Sequence, residues 1–80
     1  LTIGSTGENV RTIQRQLNSI SSTYSAIPKI RVDGVYGEST RAAVEEFQRI
    51  FNMPVTGVVD FATWYEISEL YVAIERLAEL

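Results

Sequence analysis

The chain has 80 residues, of which 45% are hydrophobic and 21% charged, and its formal net charge is −3. This length and balance indicate one small globular domain, not a disordered chain. The absence of cysteine and histidine excludes disulfides, thiolate chemistry and the commonest zinc ligand and general base. We therefore expect no metal and no cofactor. A nucleic-acid partner is also disfavoured, because binding phosphates requires lysine and arginine and the chain has one lysine.

The first predicted helix begins near residue 8. Val10, Ile13 and Leu17 have the three-then-four spacing of one helix face. The pattern ends at Asn18, and asparagine tolerates the left-handed conformation that is common just after a helix. The sequence therefore predicts a helix over residues 8–18.

A serine-rich segment, SISSTYSAIPKIR at residues 19–31, follows this helix and lacks helical periodicity. The two isoleucines on either side of its proline are expected to pack onto the core. Irregular surface segments held by a rigid scaffold are where binding residues concentrate. Tyr24, Lys29 and Arg31 are therefore expected to remain available at the surface.

The second predicted helix repeats the first. Residues 44–52, VEEFQRIFN, match residues 10–18, VRTIQRQLN, at the valine, glutamine, arginine and asparagine positions. The apolar residues of both runs have the same helical spacing. The sequence predicts this helix over residues 38–51, after a turn with the sequence VDGVYGEST.

That turn sequence recurs as VTGVVDFAT at residues 55–63. Gly34 matches Gly57, whereas Gly37 is replaced by Asp60. A carboxylate would repel a bound phosphate, yet glycine and aspartate both suit the position just before a helix. The repeat therefore predicts two turns that start helices, and not a phosphate-binding loop.

A third helical stripe follows Asp60 and includes Trp64, Ile67, Tyr71 and Ile74. No proline or glycine interrupts it, so either one long helix or a short helix with an offset second segment fits the pattern.

Together these elements predict an all-α, compact three-helix domain of pseudo-repeated turn-helix units, with a longer loop between helices 1 and 2. We expect the domain to occupy residues 1–70, and residues 71–80 to be a helical extension or the start of an interdomain linker. Because the chain begins at Leu1 and not at methionine, it is expected to be a piece of a longer protein. Its apolar runs are far too short to span a membrane.

The order of these motifs resembles peptidoglycan-binding domain 1, a small three-helix domain of bacterial cell-wall proteins. The resemblance covers about residues 1–70 and rests on three ordered motifs, LTIGSTGENVRTIQRQLN, VDGVYGESTRAAVEEFQ and VTGVVDFATW. The segment between helix 1 and the second motif is longer than in the shorter members of the family. If that segment helps to shape the ligand groove, ligand preference is expected to differ.

The resemblance implies a non-catalytic module that binds the glycan or the stem peptide of peptidoglycan. It also implies an attached cell-wall enzyme, which the module anchors to its substrate, and a location outside the membrane in the cell wall or spore cortex. A related fold forms the propeptide of matrix metalloproteinases, but that role requires a zinc-binding cysteine that this chain lacks. The alternative function is a protein-interaction or docking domain that uses the same fold.

Four residues are candidates for ligand contact. Exposed aromatic rings pack on sugar faces, and arginine or main-chain N–H groups bind carboxylates and amides. The hypothesis places Tyr24, Arg31, Asp33 and Tyr36 in a shallow groove beside the N-terminus of helix 2. Two alternatives stay open: Asp33 accepts hydrogen bonds within its own turn, and Tyr36 packs on the core with only its hydroxyl exposed.

Polar residues on the helices suggest two further interpretations. Gln14 and Gln48 occupy equivalent positions beside the apolar stripes, where they either bind the adjacent loops, the favoured interpretation, or face a ligand. Glu45 and Glu46 are adjacent on one helix and cannot face each other across a substrate, as a glycosidase requires. A catalytic pair built from distant carboxylates stays an open alternative that no motif supports. In line with the resemblance, we expect that the chain is not an enzyme.

Overall fold

The structure of the chain is a computed structural model that describes residues 1–79. It contains three α-helices: α1 (Glu8–Ser21), α2 (Glu38–Ile50) and α3 (Phe61–Ala78). Within the described residues, β-type pairing is limited to one antiparallel bridge between Thr6 and Val35. The expected all-α three-helix fold is confirmed.

The core is formed by apolar side chains from all three helices and from the segments that connect them. Helix α1 packs most extensively against α3. Full burial of one large apolar side chain contributes about 1.5–3 kcal/mol, so this cluster is the main source of stability. Its members are Val10, Ile13, Leu17, Ile20, Ile27, Ile30, Tyr36, Ala43, Val44, Phe47, Val59 and Ile67.

The prediction that helix 1 ends at Asn18 is wrong, because α1 continues to Ser21. Its apolar stripe extends to Ile20, which is fully buried. The side chain of Asn18 binds the following loop: its Nδ2 donates to the carbonyl oxygen of Ile30 (2.7 Å), and its Oδ1 accepts the Ile30 N–H (2.8 Å). The asparagine therefore anchors the loop instead of ending the helix.

The loop after α1 packs inward at Ile27 and Ile30, as expected from the sequence. Lys29 is exposed, as expected, and its ammonium also binds the end of α1. It donates to the carbonyl oxygen of Asn18 (2.6 Å) and to the hydroxyl of Ser22 (2.8 Å). A positive charge at this end of a helix is favourable, because the last carbonyl groups carry partial negative charge.

The two predicted helix-starting turns are confirmed. Gly34 has a φ of 74° and Gly57 a φ of 73°, a left-handed conformation that glycine adopts without steric cost. Gly37 precedes α2 with an extended backbone and no side-chain cap. At the equivalent position before α3, the Oδ1 of Asp60 accepts the N–H of Thr63 (2.9 Å). The repeated turns thus share a backbone but differ in their helix caps.

Helix α3 is one continuous helix, so the alternative of an offset second segment is wrong. Beyond Ile67 its apolar residues lie nearer the surface, and Leu77 is 68% exposed. The domain boundary expected near residue 70 stays a prediction. None of the helices that the structure describes is long and apolar enough to cross a membrane.

The difference between the two caps predicts that Gly37→Asp stabilises the protein by about 0.5–1 kcal/mol. The φ of Gly37 is −106°, and a Cβ atom there would meet no other atom within 4 Å. An aspartate at this position would therefore add the cap that Asp60 provides before α3. Urea unfolding of the variant and the wild type measures the change.

Gly34→Asp is the matched control, because a side chain there would be forced into left-handed backbone and would lie 3.2 Å from the Arg11 side chain. This variant should lose stability. Equal or lower stability of Gly37→Asp relative to wild type would contradict the interpretation of Gly37 as an unfilled cap position.

Candidate functional site

The turn before α2 is built around the side-chain amide of Gln14, which is fully buried. Its Oε1 accepts the N–H groups of Asp33 (3.1 Å) and Gly34 (2.9 Å). Its Nε2 donates to three oxygens: Asp33 Oδ1 (3.0 Å), the carbonyl of Val35 (3.0 Å) and Thr40 Oγ1 (3.1 Å). Both the donors and the acceptor of the amide are therefore used.

The turn before α3 has the same network around Gln48, whose amide is also buried. Its Oε1 accepts the N–H groups of Thr56 (2.9 Å) and Gly57 (3.0 Å). Its Nε2 donates to Thr56 Oγ1 (3.2 Å), the carbonyl of Val58 (3.1 Å) and Thr63 Oγ1 (3.2 Å). The interpretation that both glutamines bind the adjacent loops is confirmed.

Asp33 takes part in building the first turn. Its Oδ1 accepts the Val35 N–H (3.0 Å) as well as the amide of Gln14. The bond from Val35 is the main reason that the pKa of Asp33 lies below its ordinary value, with smaller help from Gln14 and from the positive charge of Arg31. The role within its own turn is confirmed, and contact of Asp33 with a ligand stays a prediction.

Tyr36 lies in the core and not in a surface groove. Its side chain is 1% exposed, and its hydroxyl donates to the carbonyl oxygen of Gly57 at 2.6 Å in a buried hydrogen bond. This burial raises the pKa of Tyr36 to about 12. The expectation that its ring lines a ligand groove is therefore wrong, and its hydroxyl is not exposed either. Tyr36 instead joins the first turn to the second.

Tyr24 lies far from the other candidate residues. Its ring packs edge-on against Phe51, with ring centroids 5.2 Å apart, at the C-terminal end of α2. Asp33 precedes the N-terminus of the same helix, which has 13 residues and is therefore about 20 Å long. Arg31 is exposed beside Asp33 in the chain. Tyr24 thus packs at one end of α2 and Asp33 precedes the other end, and contact of Tyr24, Arg31 and Asp33 with a ligand stays a prediction.

A shallow groove of about 370 Å³ lies at the N-terminal end of α3. We call it the α3 groove. Its lining combines apolar and polar side chains with the first residue of the chain, whose main-chain nitrogen donates to the Val59 carbonyl oxygen (2.8 Å). The lining residues are Leu1, Asn9, Val59, Asp60, Phe61 and Trp64.

Two aromatic side chains near this groove are exposed. Phe61 is 83% exposed and Tyr65 is 52% exposed, and their ring centroids are 6.4 Å apart. Neither residue is among the four candidates predicted from the sequence. The sequence does indicate that Phe61 is exposed, because the first repeat has the charged Glu38 where the second has Phe61. A phenylalanine in place of a charged surface residue does not belong to the core stripe.

The adjacent glutamates of α2 form ion pairs within their own helix. Glu45 lies 3.5 Å from Arg41, and Glu46 pairs with Arg49. Over residues 1–79, no cluster of three or more acidic residues could hold a metal ion.

Comparison with known proteins identifies the family. The sequence profile of the peptidoglycan binding domain matches residues 6–67. The chain belongs to this family. The crystal structure of the SleB N-terminal domain is similar, with a TM-score of 0.75 and 30% sequence identity over 89% of this chain and 90% of that chain.

A longer relative contains a similar segment. The zinc D-Ala-D-Ala carboxypeptidase of Streptomyces albus G is 33% identical over 70 residues, which are 88% of this chain and 26% of the carboxypeptidase. The chain thus spans about a quarter of the length of this curated relative.

The two glutamine networks differ in one partner, and this difference predicts that Gln14→Glu destabilises more than Gln48→Glu at pH 7. A glutamate at position 14 would face the carboxylate of Asp33 with no proton between them. At position 48 it would face two threonine hydroxyls, which are able to donate. We expect Gln14→Glu to lower the free energy of unfolding more than Gln48→Glu does, measured by urea unfolding.

Lowering the pH from 7 to 5 should restore part of the stability of Gln14→Glu, because burial raises the pKa of the new carboxyl and the folded state then takes up a proton. Equal losses of stability in Gln14→Glu and Gln48→Glu would contradict the idea that the carboxylate of Asp33 makes the first substitution the more harmful one.

The hydrogen bonds to Asp33 predict an acid-sensitive contribution to stability. Its folded-state pKa lies below the ordinary value of 3.8, so the contribution is present above that value and is lost as the pH falls through the folded-state pKa. Asp33→Asn keeps an accepting oxygen but does not titrate. Unfolding measured between pH 5 and pH 2 should therefore show a flatter curve for the variant than for wild type. Parallel curves would contradict the prediction.

Proposed function

We propose that the chain is a non-catalytic module that binds peptidoglycan and holds an attached cell-wall enzyme on its substrate. The observation that carries the proposal is the family match over residues 6–67. The similarity to the SleB N-terminal domain extends over nearly the whole of both chains and supports the same conclusion. The carboxypeptidase of Streptomyces albus G, in which the similar segment is about a quarter of the protein, supports attachment to an enzyme.

The proposed location follows from the proposed ligand. A module that binds peptidoglycan works outside the membrane, in the cell wall or the spore cortex. Its partners are then the glycan or the stem peptide and the neighbouring enzyme domain, with no nucleic acid and no membrane insertion.

The absence of catalysis is supported by the carboxylates of α2. Glu45 and Glu46 are adjacent and each is paired with an arginine of its own helix. Hydrolysis of a glycosidic bond requires two carboxyl groups that face each other across the bond. This arrangement does not provide such a pair.

Two separate surfaces remain as proposed ligand contacts from the sequence hypothesis. The first carries the exposed side chains of Arg31 and Asp33 beside the first turn, which can bind the carboxylates and amides of a stem peptide. The second is the half-buried ring of Tyr24 near the end of α2. Tyr36 contributes only by supporting the two turns from within the core.

A second candidate function is docking on another protein domain. It is favoured by the exposed apolar side chains of Val72 (46%) and Leu77 (68%) on the last turns of α3. Together with Glu69, Ala73 and Arg76 they line a shallow depression of about 470 Å³. Light scattering at increasing protein concentration tests association between copies through this surface.

The proposal predicts saturable binding of the chain to purified, protein-free peptidoglycan in a co-sedimentation assay, with no release of soluble fragments. Arg31→Ala should weaken binding about two- to fivefold if the guanidinium contacts a carboxylate at the surface. Absence of binding by the wild type would contradict the proposed function, and release of soluble fragments would contradict the assignment as a non-enzyme.

A further inference from the structure

We propose that Phe61 and Tyr65 form an aromatic platform on which the sugar rings of a glycan strand pack. The α3 groove would then accept the glycan of peptidoglycan and not its stem peptide. The inference rests on the proposed function and specifies the ligand that the α3 groove accepts.

The exposure of the two rings is not explained by folding. Phe61 is 83% exposed and Tyr65 is 52% exposed, so neither ring contributes much to the core. Their centroids are 6.4 Å apart and their planes are inclined by 30°. Single exposed apolar residues are common, but two adjacent aromatic rings beside a groove form a contiguous apolar surface of the kind that marks binding sites.

The repeat within the chain shows that the scaffold does not require these rings. Glu38 and Ala42 occupy the corresponding positions of α2, which follows the same kind of turn with the same glutamine network. The shared residues of the two copies therefore build the turn and start the helix. Phe61 and Tyr65 occur in the second copy alone, at positions that are exposed to solvent.

The chemistry of the groove matches a sugar ring. A pyranose has apolar C–H faces, which pack on aromatic rings, and a rim of hydroxyl groups, which need hydrogen-bond partners. The rings of Phe61 and Trp64 and the polar side chains of Asn9 and Asp60 line the same groove. The Oδ1 of Asp60 is bound by the Thr63 N–H. The side chain of Asp60 is exposed, so its carboxylate is accessible as an acceptor for a sugar hydroxyl.

The side chains of the groove do not provide for a stem peptide. A peptide carboxylate requires a cation or free N–H groups. None of the residues that line the groove is an arginine or a lysine, and its one charged side chain is the carboxylate of Asp60. The polar side chains of Asn9 and Asp60 instead suit the hydroxyl groups of a sugar.

Trp64 provides a direct probe, because it is the one tryptophan of the chain and it lines the groove. The wild type is titrated with glycan chains stripped of stem peptides, and separately with free stem peptides. We expect the glycan chains to change the tryptophan fluorescence and to compete with binding to whole peptidoglycan. We expect stem peptides to leave the tryptophan fluorescence unchanged. Competition by stem peptides alone would overturn the inference.

The matched variants are Phe61→Ala/Tyr65→Ala and Phe61→Glu/Tyr65→Ala, the second of which installs the residues of the first repeat. Both should fold with a stability close to that of wild type and bind peptidoglycan about tenfold more weakly or worse, because two stacking surfaces are lost. Leu77→Ala is the control, since it removes a similarly exposed apolar side chain elsewhere on α3. It should bind like wild type.

The outcomes separate the two proposals. If the wild type binds saturably and the double variants bind equally well, the platform is wrong and the proposed function stands. If Leu77→Ala weakens binding as much as the double variants do, the binding is general adsorption of apolar surface and the platform is wrong. If the wild type does not bind peptidoglycan at all, the proposed function fails and the platform fails with it.

Discussion

The fold depends on two buried glutamine side chains, Gln14 and Gln48. Each projects from one helix and binds the main chain of the turn that starts the next helix. A buried amide without partners would cost several kcal/mol, so each glutamine tolerates burial only when its turn has the native shape. The same bonds therefore hold the turn in place and fix where the following helix begins.

The two turns are also joined to each other. The hydroxyl of Tyr36 from the first turn binds the carbonyl oxygen of Gly57 in the second. The segment before α1 pairs with the first turn, where the N–H of Gly7 donates to the carbonyl oxygen of Gly34 (2.9 Å). Hydrogen bonds thus connect the segments between the helices, whereas apolar packing holds the helices against one another.

Because buried residues hold the two turns in shape, the exposed positions of the two turn-helix copies are free to differ. The two turn-helix copies share their left-handed glycines, their buried threonines and the glutamines that bind them, but their exposed residues diverge, as Glu38 and Phe61 show. Folding therefore rests on the residues that the copies share, and the proposed glycan contacts lie at exposed positions where the copies differ.

The helical spacing of apolar residues predicted most of the fold, and the three ordered motifs indicated the family to which the chain belongs. Helix faces, the left-handed glycines and the buried isoleucines of the loop follow from spacing and from the stereochemistry of single residues, which are local properties. The tertiary structure alone decided what Asn18 and Tyr36 do. Each binds a main-chain group distant in sequence, Ile30 and Gly57 respectively, and no local pattern encodes that partner. The tertiary structure also decided which aromatic rings are exposed, because exposure depends on which segments pack over a ring.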